Sequence, residues 1–187
     1  MLPENMKITV SQSAEDIHQI LSLQQKNLPK NISKSEADEQ GFVTVEHDFE
    51  ILYSMHLAEP AVITKDGNTL AGYALVMTKE FGKKIPVLVP MFELFETIVY
   101  QNKKLSEYTY FVMGQVCIDK PYRGLGLFDK MYAELKENLK GKYELMITEV
   151  ATSNQRSVNA HKRAGLETIF IYTDDGGEEW QIMTLEL

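Results

Sequence analysis

Cysteine is nearly missing from this sequence. The single thiol, Cys117, excludes an internal disulfide and a cysteine-based zinc site. Long apolar runs are missing too. No stretch approaches the length that spans a bilayer, and the opening Met-Leu-Pro-Glu-Asn-Met-Lys lacks an apolar core of signal-peptide length. Positive charge is scarce: 19 Lys and Arg stand against 27 Asp and Glu, a formal net charge of −8. That balance argues against nonspecific nucleic-acid binding, which relies on cations that replace phosphate counterions. It suits a solubilising surface or a cationic partner. His18, His47 and His56 lack metal-site spacing and read as surface or packing residues. No repeat, low-complexity tract or Pro- and Ser-rich linker divides the chain. The expectation is a cytoplasmic protein without metal, membrane or nucleic-acid partners.

What is present is enough for one substantial core. With 187 residues, 44% of them hydrophobic, residues 1–187 read as a single domain. Lys7 to Val10 can form a strand, and Ser13-Ala-Glu-Asp16 is a capping pattern ahead of a helix with Ile17, Ile20, Leu21 and Leu28 on its buried side. Further helix is expected near Ser33 to Gln40 and Asp48 to Leu57. Pro60 to Thr64 and Thr69 to Thr78 read as a hairpin around Asp66-Gly67-Asn68. A strand over Tyr108 to Ile118, a helix over Tyr122 to Lys140 and a strand over Tyr143 to Val150 follow. A helix over Asn154 to Arg163 and strands near Glu167 to Tyr172 and Glu179 to Leu187 complete the order β-αα-β-β-β-α-β-α-β-β. Phe81 to Glu107 is an insert whose Phe92, Phe95 and Val99 fit an amphipathic helix over the sheet. Its Phe81, Met91, Tyr100, Glu93, Glu96 and Glu107 also fit an aromatic and acidic wall.

The most informative stretch is Gln115-Val-Cys-Ile-Asp-Lys-Pro-Tyr-Arg-Gly-Leu-Gly-Leu-Phe128, a buried strand that passes through a glycine turn into a helix. Leu127, Phe128, Met131, Tyr132, Leu135 and Leu139 recur at helical spacing, and Gly141 ends the run. Gly124 and Gly126 let the N–H groups from Arg123 to Phe128 converge on an anion at the positive helix end. A nucleoside-triphosphate loop needs Gly-Lys-Ser/Thr here, but Leu127 and Phe128 follow Gly126. A dinucleotide fingerprint needs a third glycine and an acid about twenty residues on; the glycine is missing, although Glu144 and Glu149 come near that spacing.

Arg-Gly-x-Gly after a strand resembles the pyrophosphate-binding motif of the GNAT-type N-acetyltransferases, Gln/Arg-x-x-Gly-x-Gly/Ala. Arg123 and Gly126 match it, and Phe128 stands where the family usually has Gly or Ala. A second segment, Thr148 to Leu166, resembles the family's later strand-and-helix signature, with Asn154, Ser157, Ala160, His161, Gly165 and Leu166 in the matching places. The resemblance covers nearly the whole chain. It implies an α/β GNAT-like fold: a central twisted, mixed but mostly antiparallel sheet with helices on both faces and a splayed parallel strand pair forming an acetyl-CoA cleft. Those two strands end at Ile118 and Val150.

By the same resemblance, Val116, Cys117 and Ile118 lie along the pantetheine arm, and Arg123, Gly124, Leu125, Gly126, Leu127 and Phe128 hold the pyrophosphate. Asn154 and His161 contact the cofactor. Asn154 also suits a helix cap, and Gly114 suits either a bulge that aims an N–H at the thioester or a glycine covered by a neighbour. His161 stands where the family commonly carries a Tyr acid, so it is a candidate proton donor to the departing thiolate or a packing contact. Glu149 is the candidate base. Gln115 can orient a water, and Cys117 reads as a buried strand residue rather than a nucleophile. The implied reaction is direct acetyl transfer from acetyl-CoA to a primary amine of a small molecule or peptide. A catalytically weak acyl-CoA sensor is the alternative, and a nucleotide-binding module without CoA chemistry is a third reading. The terminal strand Glu179 to Leu187 offers an edge through which a homodimer can form.

Overall fold

The Ser13 hydroxyl accepts the Asp16 N–H at 3.3 Å, and the Asp16 carboxylate returns bonds to the N–H groups of Gln12 (2.7 Å) and Ser13 (3.2 Å), so the capping box starts α1 (Ala14–Lys26). In the computed structural model, which describes residues 5–187, this is the first of six α-helices among the described residues. The first four residues, part of the opening segment read for a signal, lie outside the described residues. The other helices are α2 (Lys34–Gln40), α3 (Phe49–Ala58), α4 (Val89–Phe95), α5 (Leu127–Leu139) and α6 (Gln155–Arg163).

The strands are β1 (Met6–Val10), β2 (Val62–Asp66), β3 (Thr69–Thr78), β4 (Val99–Tyr100), β5 (Lys103–Lys104), β6 (Tyr110–Ile118), β7 (Leu145–Ala151), β8 (Glu167–Thr173) and β9 (Glu179–Glu186). Seven of them make one mixed sheet in the order β1-β2-β3-β6-β7-β9-β8. The pairs β1–β2, β2–β3, β7–β9 and β8–β9 are antiparallel, and β6 runs parallel to β7 with Tyr110 opposite Leu145 and Val112 opposite Ile147. A parallel neighbour needs a crossover, and α5 lies within the one between β6 and β7.

The chain divides into two compact units. The first holds the chain up to Val76 and Gly114–Asn138. In it, Ile17, Ile20 and Leu23 of α1, Leu52 and Met55 of α3, and Ile63, Ala71, Tyr73 and Ala74 of the hairpin are buried. Leu127, at the start of α5, packs in a cluster with Met6 and Ala71, bordered by Ile118 and Tyr122. Gly67, at φ +58°, takes the positive φ that the first central position of a two-residue hairpin demands. The second unit holds Met77–Met113 and Leu139–Leu187. Its buried side chains include Phe81, Met91, Phe95 and Leu105 of the insert and Met146, Ile147, Ile182 and Met183 of β7 and β9.

Three sequence expectations are corrected. The helix expected from Tyr122 starts at Leu127, because Gly124 (φ +81°) and Gly126 (φ +71°) are left-handed; Lys120–Tyr122 is a separate 3₁₀ turn. Val99 does not extend the helical face of Phe92 and Phe95. It lies in β4, 64% exposed, because α4 stops at Phe95 and a small hairpin follows. Glu179 to Leu187 supplies no sheet edge: β9 pairs with β7 on one side and β8 on the other, which leaves β1 and β8 outermost.

Candidate active site

Residues expected to bind cofactor begin in the first unit, on β6. Burial alternates there, with Gln115 and Cys117 buried and Val116 and Ile118 only half-buried. Gly72 on β3 makes room for this strand, since a Cβ would stand 3.0 Å from the Cys117 carbonyl oxygen. Burial pushes the Cys117 thiol up to about 12, so it is a neutral packing group with almost no thiolate.

Beyond β6 the chain makes the 3₁₀ turn and then the two left-handed glycines. A Cβ on either would meet nothing within 4 Å, so the backbone faces open space at both. As α5 begins, the Lys130 N–H donates to the Gly126 carbonyl at 3.3 Å. An open, glycine-lined backbone at the positive end of a 13-residue helix fits a pyrophosphate. Leu127 is the side chain that turns inward. Phe128 stacks along the helix on Tyr132, with ring centroids 4.3 Å apart.

The Arg123 side chain has another task. Its Nε donates to the Ile118 carbonyl (3.2 Å), Nη1 to Glu36 (3.1 Å) and Nη2 to the Asn27 Oδ1 (2.8 Å). Lys120 bonds the second oxygen of Glu36 at 3.2 Å, and Lys26 lies 3.6 Å from Asp119. The hydrogen bonds of Lys120 and Arg123 hold the Glu36 carboxyl below the usual range. The guanidinium thus ties the turn to α2 and to the end of α1.

Sequence reasoning missed a strap over residues 43–48. The Gln115 Nε2 donates to the Val45 carbonyl at 2.8 Å while its Oε1 accepts the Tyr73 hydroxyl at 2.5 Å. The Gln24 Nε2 donates to the His47 carbonyl (3.0 Å), and its Oε1 accepts the His47 N–H (3.2 Å) and the Nδ1–H (2.9 Å). His47 is therefore buried and neutral, pushed down to about 4 by burial. Its Nε2 has no hydrogen-bond partner among the described residues. His18 stacks on Phe49 at 4.6 Å, and His56 bonds Ser11 at 2.8 Å.

The second unit holds Glu149, Asn154 and His161. Asn154 caps α6, its Oδ1 accepting the Ser157 N–H at 3.1 Å. His161, 1% exposed, places Nδ1 2.7 Å from the Ser157 carbonyl, which fixes the proton on Nδ1. Burial pushes this imidazole down to about 4. In the neutral ring Nε2 then carries a lone pair, which accepts a proton rather than donating one.

Glu149, half-buried on β7, accepts a hydrogen bond from the Tyr172 hydroxyl of β8. Burial raises its carboxyl above the usual range, the Tyr172 bond opposes that, and the Asp174 charge adds to it. A raised carboxylate that still accepts hydrogen bonds is suited to taking a proton near neutral pH. Tyr172 is a partner sequence reasoning did not assign, because it lies 23 residues away on a non-neighbouring strand.

The family model described as acetyltransferase (GNAT) matches residues 17–166. A search of curated proteins gave no match. Solved structures with a similar fold include an agmatine N-acetyltransferase mutant in its apo form, with a TM-score of 0.71 and 13% identity over 98% of this chain and 100% of that one. A GNAT-family acetyltransferase from Streptococcus agalactiae gives 0.65 and 17% over 98% and 96%. The yncA protein of Salmonella typhimurium, solved with its cofactor acetyl-CoA, gives 0.64 and 13% over 98% and 95%. Among the described residues no group of three or more His, Cys, Asp or Glu side chains is placed to hold a metal ion, and no helix is long and apolar enough to cross a membrane.

Proposed function

Because the chain belongs to the acetyltransferase (GNAT) family, we propose that it moves an acetyl group from acetyl-CoA to a primary amine by direct attack within one ternary complex. The observation that carries this reading is the turn at Gly124 and Gly126, left-handed and open where a Cβ would stand, immediately ahead of α5. The backbone from Arg123 to Phe128 is assigned the pyrophosphate, and Val116, Cys117 and Ile118 the pantetheine arm. Asn154 and His161 add contacts from α6. Acetyl-CoA, when bound, supplies an acyl group activated as a thioester.

Glu149 takes the amine proton, directly or through one water, as the nitrogen–carbon bond forms and the carbon–sulfur bond breaks with its electron pair on sulfur. His161, neutral with its proton on Nδ1, orients the cofactor side of α6 and does not deliver the proton to sulfur. A thiol of ordinary pKa, about 8.5, is acidic enough to leave as thiolate and be protonated by solvent. Cys117, held neutral by burial, favours direct attack over an acetyl-enzyme. The reading extends to one functional domain over residues 1–187, acting in the cytoplasm on a small amine or a peptide.

The test is CoA-thiol release from acetyl-CoA across a panel of primary amines. Glu149→Gln should lower acceptor-dependent release about a hundredfold, whereas His161→Gln should cost about tenfold or less. Binding of CoA without acceptor-dependent release from any amine would leave the sensor alternative in place of the enzyme. A stable acetylated protein that passes its acyl group on after CoA removal would contradict direct attack.

A further inference from the structure

The contact between Tyr172 and Glu149 crosses a strand. Glu149 stands opposite Ile182 of β9, and Ile182 stands opposite Phe170 of β8; Tyr172 comes two residues later, opposite Trp180, which faces Ala151. Residues paired in this way share a sheet face, so Glu149, Ile182, Trp180 and Tyr172 lie on one side. Strands β7 and β8 are not neighbours, and two strand spacings separate them by about 10 Å. Only two long side chains, each laid toward the other over β9, close that gap.

We infer that Tyr172 is a positioning residue for Glu149: its hydroxyl, carried across β9, fixes the direction of the carboxylate that takes the amine proton. This rests on the reading of Glu149 as the base. The β8–β9 hairpin contains no Lys, Arg or His, so it offers no cation to hold a half-buried carboxylate ionised. The phenol is the donor it does offer. The titratable groups acting on Glu149 are Tyr172 and Asp174. Asp174, just beyond β8, is itself occupied by the Trp180 indole N–H at 2.8 Å and the Glu178 N–H at 3.0 Å, and its negative charge works against ionisation of Glu149. Tyr172 stays a phenol throughout, because burial and the neighbouring carboxylates push its own proton loss upward. The hydroxyl thus holds one carboxylate oxygen, orients the other, and offsets part of the cost of burial.

The experiment is a carbon-13 NMR titration of the full-length protein with labelled glutamate carboxyls, the Glu149 signal identified by its loss in Glu149→Gln. Tyr172→Phe should move the Glu149 midpoint to higher pH, and Asp174→Asn should move it to lower pH. Tyr172→Met, an apolar chain of similar reach, repeats the test at the same half-exposed position should the phenylalanine variant not fold. A midpoint unchanged in a folded Tyr172 variant overturns the inference. With butylamine as probe acceptor, thiol release by Tyr172→Phe should fall roughly tenfold at pH 6 and much less at pH 9, as expected of a base whose ionisation is displaced upward. Failure of the base reading looks different: the midpoint moves in Tyr172→Phe, yet Glu149→Gln releases thiol like the wild type.

Discussion

Protonating either of two buried histidines favours the unfolded chain. His47 and His161 are each held down to about 4 by burial, against about 6.5 when unfolded. Between those values the unfolded state binds more protons, so stability falls as pH drops through the window, by up to about 3 kcal/mol for each residue. Urea unfolding at pH 7 and pH 4.5 should show a shallower loss in His161→Gln than in wild type; equal losses would refute the assignment. No local pattern signals this for His47, whose fixing partner, Gln24, lies 23 residues upstream. Arg123 was legible as part of the glycine turn by position, but its bonds to Glu36 and Asn27 depend on residues 87 and 96 positions away. Spacing arguments reach about one helical turn, and these partners lie far beyond it.

Local chemistry made most elements readable. The capping box at Ser13 and the turn at Gly67 use residue types that only a few conformations favour, and both elements formed where expected. The β4–β5 hairpin was missed because its turn lacks glycine: Gln101 (φ +45°) and Asn102 (φ +73°) supply the two positive φ values instead. Gly82 was also silent in the sequence. A Cβ there would stand 2.5 Å from the Phe92 ring, so Gly82→Ala should cost about 1–3 kcal/mol through overpacking, read by chemical denaturation. Ser13→Ala should cost about 1 kcal/mol through loss of its cap. Gly126→Ala has open space, so its cost is the backbone strain of about 1–2 kcal/mol. It should also weaken CoA binding while the protein stays folded; a variant that binds CoA as tightly as wild type would remove the pyrophosphate from this turn.

At the scale of the molecule, the seven strands of the main sheet and their order along the chain followed from alternating and helical periodicity, and the parallel β6–β7 pair from the helix between its strands. Lateral order was less legible. Nothing in the spacing of β8 and β9 says which lies next to β7, so the terminal strand was placed at an edge when it is interior. The division into two units, with the glycine turn in one and Glu149, Asn154 and His161 in the other, had no signature in a sequence without a linker. Whether the glycine turn holds a CoA pyrophosphate is read from thermal unfolding with acetyl-CoA, CoA, ATP and NAD at matched concentrations. The two CoA species should stabilise the protein selectively, by about 3 kcal/mol at a hundredfold excess over Kd, which raises Tm by several degrees. No response to CoA, or an equal response to ATP and NAD, would contradict it.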